Sequence, residues 1–75
     1  MADEITALQT ELLQALDQKG AATPLEIAVQ KLLPAKEVEL DLEVLEHEGY
    51  VSSRDMAPGQ KAMFLSEKGR KAARR

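Results

Sequence analysis

The sequence predicts a small α+β domain that contains a three-helix bundle, a two-stranded hairpin and a short C-terminal helix. Before Gly49, three successive segments carry apolar residues at the spacing of amphipathic helices. After it, two short β-prone runs flank a turn that holds Pro58 and Gly59. Ser66 then stands where it can cap one more helix. We expect residues 1–75 to form one domain, near the small end of what a single hydrophobic core can stabilise.

The first helix is predicted over about Asp3 to Gln18. Gly20 is a typical helix end, because glycine readily adopts the left-handed conformation that follows a last turn. One face of this helix carries core candidates at spacings of three and four: Ile5, Leu8, Leu12 and Leu16.

The second helix has a clear start signal. Thr23 is a suitable N-cap, Pro24 suits the first helical position, and Glu26 completes a capping box. Pro34 ends this helix or opens the next one. Its apolar arc is too wide for one neighbour, so we expect burial between two helices for Leu25, Ile27, Ala28, Val29, Leu32 and Leu33.

The third helix leads into the hairpin. Val38, Leu42 and Leu45 form its apolar stripe, and Gly49 ends it. The elements expected next are a strand around Tyr50 and Val51, a polar turn from Asp55 to Gln60, a strand from Lys61 to Leu65 and a helix from about Ser66 to Arg74.

Two segments resemble winged helix-turn-helix domains. Residues 38–51 are similar to the third helix and first wing strand of that family, and residues 64–70 are similar to the second wing strand and following helix start of MarR and PadR transcription regulators. The resemblance covers most of the chain and implies that the third helix lies where such proteins read the major groove. MarR-type wings commonly carry an Arg two residues after the wing Asp. Here Ala57 follows Asp55 at that distance, so we do not expect the wing tip to read the minor groove.

Charge divides the chain into two parts. Residues 1–49 hold three Lys against eleven Asp and Glu, a balance of −8, whereas residues 50–75 hold seven Lys and Arg against two acids, a balance of +5. This asymmetry favours a nucleic-acid-binding C-terminal part, and the alternative is charge balance within the domain. The residues expected to contact DNA phosphates are Arg54, Lys61, Lys68, Arg70, Lys71, Arg74 and Arg75. For the last two, the alternative is a frayed basic tail.

The third helix itself is unsuited to the major groove. Lys36 is accompanied there by six carboxylates, those of Glu37, Glu39, Asp41, Glu43, Glu46 and Glu48. Their approach to a line of phosphates is repulsive, and one carboxylate–cytosine contact is worth only about 1 to 3 kcal/mol. We expect this helix to contribute little to DNA binding.

The outer face of the third helix also carries apolar residues. At about 100° per residue, Leu40 and Val44 fall opposite the core stripe. With Glu37, Glu43 and His47 they predict a protein-interaction face for a partner or a second copy, or an acidic face that mimics DNA. The alternative is that they are ordinary isolated apolar residues on a surface.

The sequence contains no recognisable catalytic or metal site. Ser52, Ser53 and Ser66 lack a base, and there is no Gly-rich phosphate loop. Glu43 and His47 lack further ligands, and the chain has no Cys, so neither a metal nor a cofactor is expected. The N-terminus lacks signal-peptide features and no apolar run reaches membrane-spanning length, which predicts a cytoplasmic protein.

Together these features predict a small DNA-binding, transcription-regulatory protein that is not an enzyme. It would contact DNA mainly through the wing and the C-terminal helix. The alternative function is a protein-interaction or dimerisation module that uses the outer face of the third helix.

Overall fold

The computed structural model describes residues 5–74 and confirms the α+β class and the predicted order of elements. The elements are α1 (Ala7–Lys19), α2 (Pro24–Lys31), α3 (Ala35–His47), β1 (Val51–Ala57), β2 (Gln60–Leu65) and α4 (Glu67–Ala73). No helix within residues 5–74 is long and apolar enough to cross a membrane.

The first helix starts later than the sequence suggests. The Thr6 hydroxyl accepts a hydrogen bond from the Gln9 N–H at 3.0 Å, and the Gln9 side chain accepts one from the Thr6 N–H at 3.1 Å. This capping box holds Thr6 in an extended conformation, so α1 begins at Ala7. The predicted start at Asp3 lies outside the described residues, but the prediction that Ile5 and Thr6 belong to the helix is wrong. The predicted end is confirmed by Gly20, at a φ of 86°.

The second helix starts as predicted, but its burial differs. The Glu26 carboxylate accepts a hydrogen bond from the Thr23 N–H at 2.9 Å, which confirms the capping box. The expectation that the whole apolar arc is buried is wrong, because Leu25 is 63% exposed and Val29 is 66% exposed. The helix is only two turns long and packs mainly on α3, so a single face meets the core.

An unusual backbone conformation ends α2. Leu32 has a φ of 57° and a ψ of 45°, the left-handed region, and its side chain is 90% exposed. A branched residue in this conformation destabilises the folded state by about 1 to 2 kcal/mol relative to glycine. The exposed side chain buries little apolar area that would offset this cost.

We expect Leu32→Gly to raise the free energy of unfolding by roughly 0.5 to 1 kcal/mol, since relief of backbone strain exceeds the added flexibility of the unfolded chain. Denaturant unfolding followed by circular dichroism measures this. Val29→Gly is the matched control, because it removes an exposed apolar side chain from an ordinary helical position and should lower stability by about 1 kcal/mol. A loss of stability in both variants would contradict the strain argument.

The hairpin is longer than predicted. β1 and β2 pair antiparallel, and Asp55 pairs with Lys61, so the expected turn from Asp55 to Gln60 is wrong. Only Pro58 and Gly59 form the turn, with Gly59 at a φ of 78°. Polar residues do not prevent pairing here, because the ladder joins backbone groups and both faces of the hairpin tip are exposed.

Two irregularities shape the hairpin. The register shifts between Asp55 and Ala57, which leaves Met56 as a bulge. Farther from the tip, Ala22 pairs with Met63 through two backbone hydrogen bonds of 3.0 and 2.8 Å. This bridge fixes the hairpin to the loop between α1 and α2.

The core lies between the helices and the base of the hairpin. The predicted stripe of α3 is confirmed, since Val38, Leu42 and Leu45 are fully buried. The buried residues that join it are Leu12, Leu13, Ala15, Leu16, Ala22, Ile27, Ala28, Tyr50, Val51, Met63, Leu65, Ala72 and Ala73.

A compact junction attaches α4 to the end of α3. Ser66 confirms its predicted role as N-cap, because its hydroxyl accepts a hydrogen bond from the Gly69 N–H at 3.1 Å. The same hydroxyl donates to the Gly49 carbonyl, and the Ser66 N–H donates to the Tyr50 carbonyl at 3.0 Å. The Lys68 ammonium donates to the Glu48 carbonyl at 2.9 Å. The backbone carbonyls of residues 48 to 50, just after α3, thus all accept hydrogen bonds from Ser66 or Lys68 at the start of α4.

Candidate nucleic-acid interface

The outward face of α3 is acidic, as predicted. Asp41 is half-buried and accepts a hydrogen bond from the Gln9 side chain at 3.4 Å. Within residues 5–74 no Lys or Arg forms an ion pair with an α3 carboxylate. The exposed carboxylates are those of Glu37, Glu39, Glu43, Glu46 and Glu48. The outward face of α3 therefore presents negative charge that no Lys or Arg of the described residues neutralises through an ion pair.

The two apolar residues predicted to face outward do so. Leu40 is 54% exposed and Val44 is 48% exposed, one helical turn apart on α3. Glu37, Glu43 and His47 are exposed on the same helix. The outward side of α3 therefore combines two exposed apolar side chains with exposed carboxylates and an imidazole.

The two basic residues of the wing point away from each other. Arg54 pairs with Ala62, whereas Lys61 pairs with Asp55 one position farther toward the tip. Residues opposite each other in a hairpin share a face and successive residues alternate, so Arg54 and Lys61 lie on opposite faces. Both are exposed. Lys61 has the Asp55 carboxylate as its cross-strand neighbour, whereas Arg54 has an alanine.

Two of the basic residues of α4 have partners within the domain. Lys68 lies 4.4 Å from the centre of the Tyr50 ring, in addition to its bond to the Glu48 carbonyl. The Arg74 guanidinium forms an ion pair with Asp17 of α1, with both contacts at 3.3 Å. An exposed pair of this kind contributes little to stability, at most about 1 kcal/mol.

The remaining basic residues of α4 are available for an external anion. Arg70 and Lys71 are exposed, and their side chains make no hydrogen bond or ion pair with the described part of the chain. They lie on the solvent face of α4, because Gly69, Ala72 and Ala73 are its buried residues. Arg75 lies outside the described residues.

A groove that sequence reasoning missed opens between α2, α3 and the wing. It has a volume of about 520 Å³. We call it the α2–α3–wing groove, and its lining residues are Thr23, Pro24, Leu25, Glu39, Leu42, Glu43, Glu46, Asp55, Gly59, Gln60, Lys61 and Met63. Only tertiary structure brings these segments together, so no local sequence signal could have revealed it.

The candidate metal ligands of the described region do not form a cluster. Within residues 5–74, no group of three or more His, Asp or Glu side chains could hold a metal ion. Glu43 and His47, the pair weighed from the sequence, are both exposed on α3.

Comparison with known proteins identifies the fold. No family model matches this sequence, and no curated protein matches it. Solved structures of regulators do match: the reduced form of MarR from E. coli has a TM-score of 0.87 at 19% identity and aligns with 93% of this chain. MepR of Staphylococcus aureus, a transcription regulator of the MepA multidrug efflux pump, has a TM-score of 0.83 at 25% identity over 95% of this chain.

The similar structures include complexes with DNA. FabT of Streptococcus pneumoniae, solved with DNA, has a TM-score of 0.86 at 19% identity and aligns with 95% of this chain. This chain spans about half the length of these proteins, 53% of MarR, 51% of FabT and 54% of MepR. The chain has the winged helix-turn-helix fold of the MarR-type transcription regulators.

Proposed function

We propose that this domain binds DNA and regulates transcription, through mainly electrostatic contacts from the wing and α4. The observation that supports this most is the alignment of 95% of the chain with a winged helix solved in complex with DNA. The exposed cations Arg54, Arg70 and Lys71 provide the main phosphate contacts in this proposal. Lys61 contributes less, because it lies on the opposite face of the wing from Arg54 and beside Asp55. The cytoplasmic location that the sequence predicts is part of this proposal.

In this proposal α3 does not read bases. Five exposed carboxylates on that helix would approach the phosphates without a compensating ion pair from residues 5–74. Binding therefore depends on counterion release at the basic side chains. We expect the affinity for DNA to depend little on base sequence and to fall steeply as the salt concentration rises.

We expect affinity for a generic duplex to fall with salt with a logarithmic slope of about −3, as three phosphate contacts predict. Arg70→Ala combined with Lys71→Ala should reduce that slope by about 2 and weaken binding at low salt. Fluorescence anisotropy of a labelled duplex measures both quantities.

The matched control combines Lys19→Ala and Lys31→Ala, which removes the same charge from the acidic half of the domain. It should leave the salt slope unchanged. Absence of binding at low salt would contradict the proposal, and so would equal slopes for the two double variants.

A protein-interaction function is the second candidate, favoured by the exposure of Leu40 and Val44 among the α3 carboxylates. The partner in this case is another protein or a second copy, and the acidic face could occupy a basic cleft in the manner of DNA. Absence of duplex binding, together with a solution mass above the monomer that falls when Leu40 and Val44 become Ser, would favour this function over DNA binding.

A further inference from the structure

We infer that the α2–α3–wing groove binds a cationic, amphipathic segment of a partner protein. The groove combines two properties that such a segment requires. One wall of the groove is apolar and is formed by Pro24 and Leu25 of α2. Its floor is formed by the buried side chains of Leu42 and Met63. Carboxylates from α3 and the wing provide an acidic rim.

The charge of the rim favours a cationic occupant. Four carboxylates line the groove, those of Glu39, Glu43, Glu46 and Asp55, and Lys61 is its one cation. The carboxylates of Glu39 and Glu43 have no hydrogen-bond or ion-pair partner within residues 5–74. They are therefore available to an incoming Lys or Arg.

The rim is also held in position. The Glu46 carboxylate accepts a hydrogen bond from the Ser53 hydroxyl of β1 at 2.9 Å, which ties α3 to the wing beside the groove. The Ala22–Met63 bridge ties the opposite wall to the same hairpin. A groove with fixed walls loses less conformational entropy when it is filled.

The length of the rim indicates a peptide rather than a small cation. Glu39, Glu43 and Glu46 lie at spacings of four and three on α3, so they extend over roughly 10 Å along the helix. One amine cannot reach all of them. Lys or Arg residues at the same spacing on a second helix can reach all three carboxylates. An apolar residue beside them on that helix can pack against Leu25.

A second copy of this chain fits the groove less well. Its cationic element, α4, buries its small residues Gly69, Ala72 and Ala73 against its own core. The face that α4 exposes is charged throughout and offers no apolar residue to Leu25. A partner segment with both cationic and apolar residues matches the two surfaces of the groove.

The test uses a fluorescein-labelled synthetic helical peptide with Lys at spacings of four and three and Leu residues beside them. We expect saturable binding by anisotropy at moderate salt, weakened about tenfold when Glu39 and Glu43 both become Gln. Leu25→Ser should also weaken it. Amide chemical shifts should change at groove residues rather than on α1 or α4.

The matched control combines Glu37→Gln and Glu48→Gln, the same charge change on the opposite flank of α3. It should alter binding by less than about twofold, because screening limits attraction between distant exposed charges. Equal losses in the two double variants would overturn the inference and show attraction to a generally acidic protein. Absence of peptide binding would overturn it too, as would a dimer in solution that Leu25→Ser dissociates.

This inference does not depend on DNA binding. The peptide assay contains no nucleic acid, and its substitutions leave Arg70 and Lys71 unchanged. A variant that loses peptide binding can therefore still be tested for DNA binding, and a variant that loses DNA binding can still be tested for peptide binding.

Discussion

Gly69→Ala is expected to lower the free energy of unfolding by about 3 kcal/mol or more and to detach α4 from the domain. A Cβ atom at this position would lie 1.9 Å from the Tyr50 carbonyl oxygen and 2.9 Å from its carbon. Both are backbone atoms, and the same carbonyl accepts the Ser66 N–H. The clash cannot be relieved by rotation of a side chain, so α4 must move.

The sign of this effect distinguishes packing from helix propensity. Gly69 lies within α4, where Ala would ordinarily stabilise the helix by about 1 kcal/mol. Denaturant unfolding of Gly69→Ala measures the outcome. Lys71→Ala, an exposed position on the same helix, is the control and should change stability by no more than about 0.5 kcal/mol. Stability equal to or above that of the unchanged protein would show that the junction is not tightly packed.

The junction at Gly69 also illustrates which features the sequence could predict. Ser66 as an N-cap and the Thr23–Glu26 capping box depend on residues three apart, so local sequence was sufficient for both. Local sequence does not identify Thr6 as the cap of α1, because acidic residues suitable for a first turn precede it. Local preference alone does not decide between two adjacent start signals.

The features that sequence reasoning missed depend on distant parts of the chain. The outward positions of Leu25 and Val29 follow from which face of α2 meets α3, and hydrophobicity does not specify this. The opposite faces of Arg54 and Lys61 depend on strand register, which the mispredicted turn obscured. The acidic groove requires three elements to be placed relative to one another. These tertiary relations determine the candidate sites more strongly than composition does.

Leu42→Ala is expected to lower the free energy of unfolding by about 3 kcal/mol, because it leaves a cavity in the centre of the core. Leu42 is 1% exposed and lies beneath the α2–α3–wing groove. A domain of this length has a total stability of roughly 4 to 11 kcal/mol, so the variant loses a large fraction of it. Thermal and denaturant unfolding would both report the change.

Leu40→Ala is the matched control, with the same side-chain change on the same helix at the outward-facing position. It should lower stability by less than about 1 kcal/mol in the monomer, because little buried area is lost there. A loss as large as that of Leu42→Ala would mean that Leu40 is covered in solution. Since the domain itself does not cover this residue, a second copy would have to do so, and the protein-interaction function of α3 would then be favoured over DNA binding.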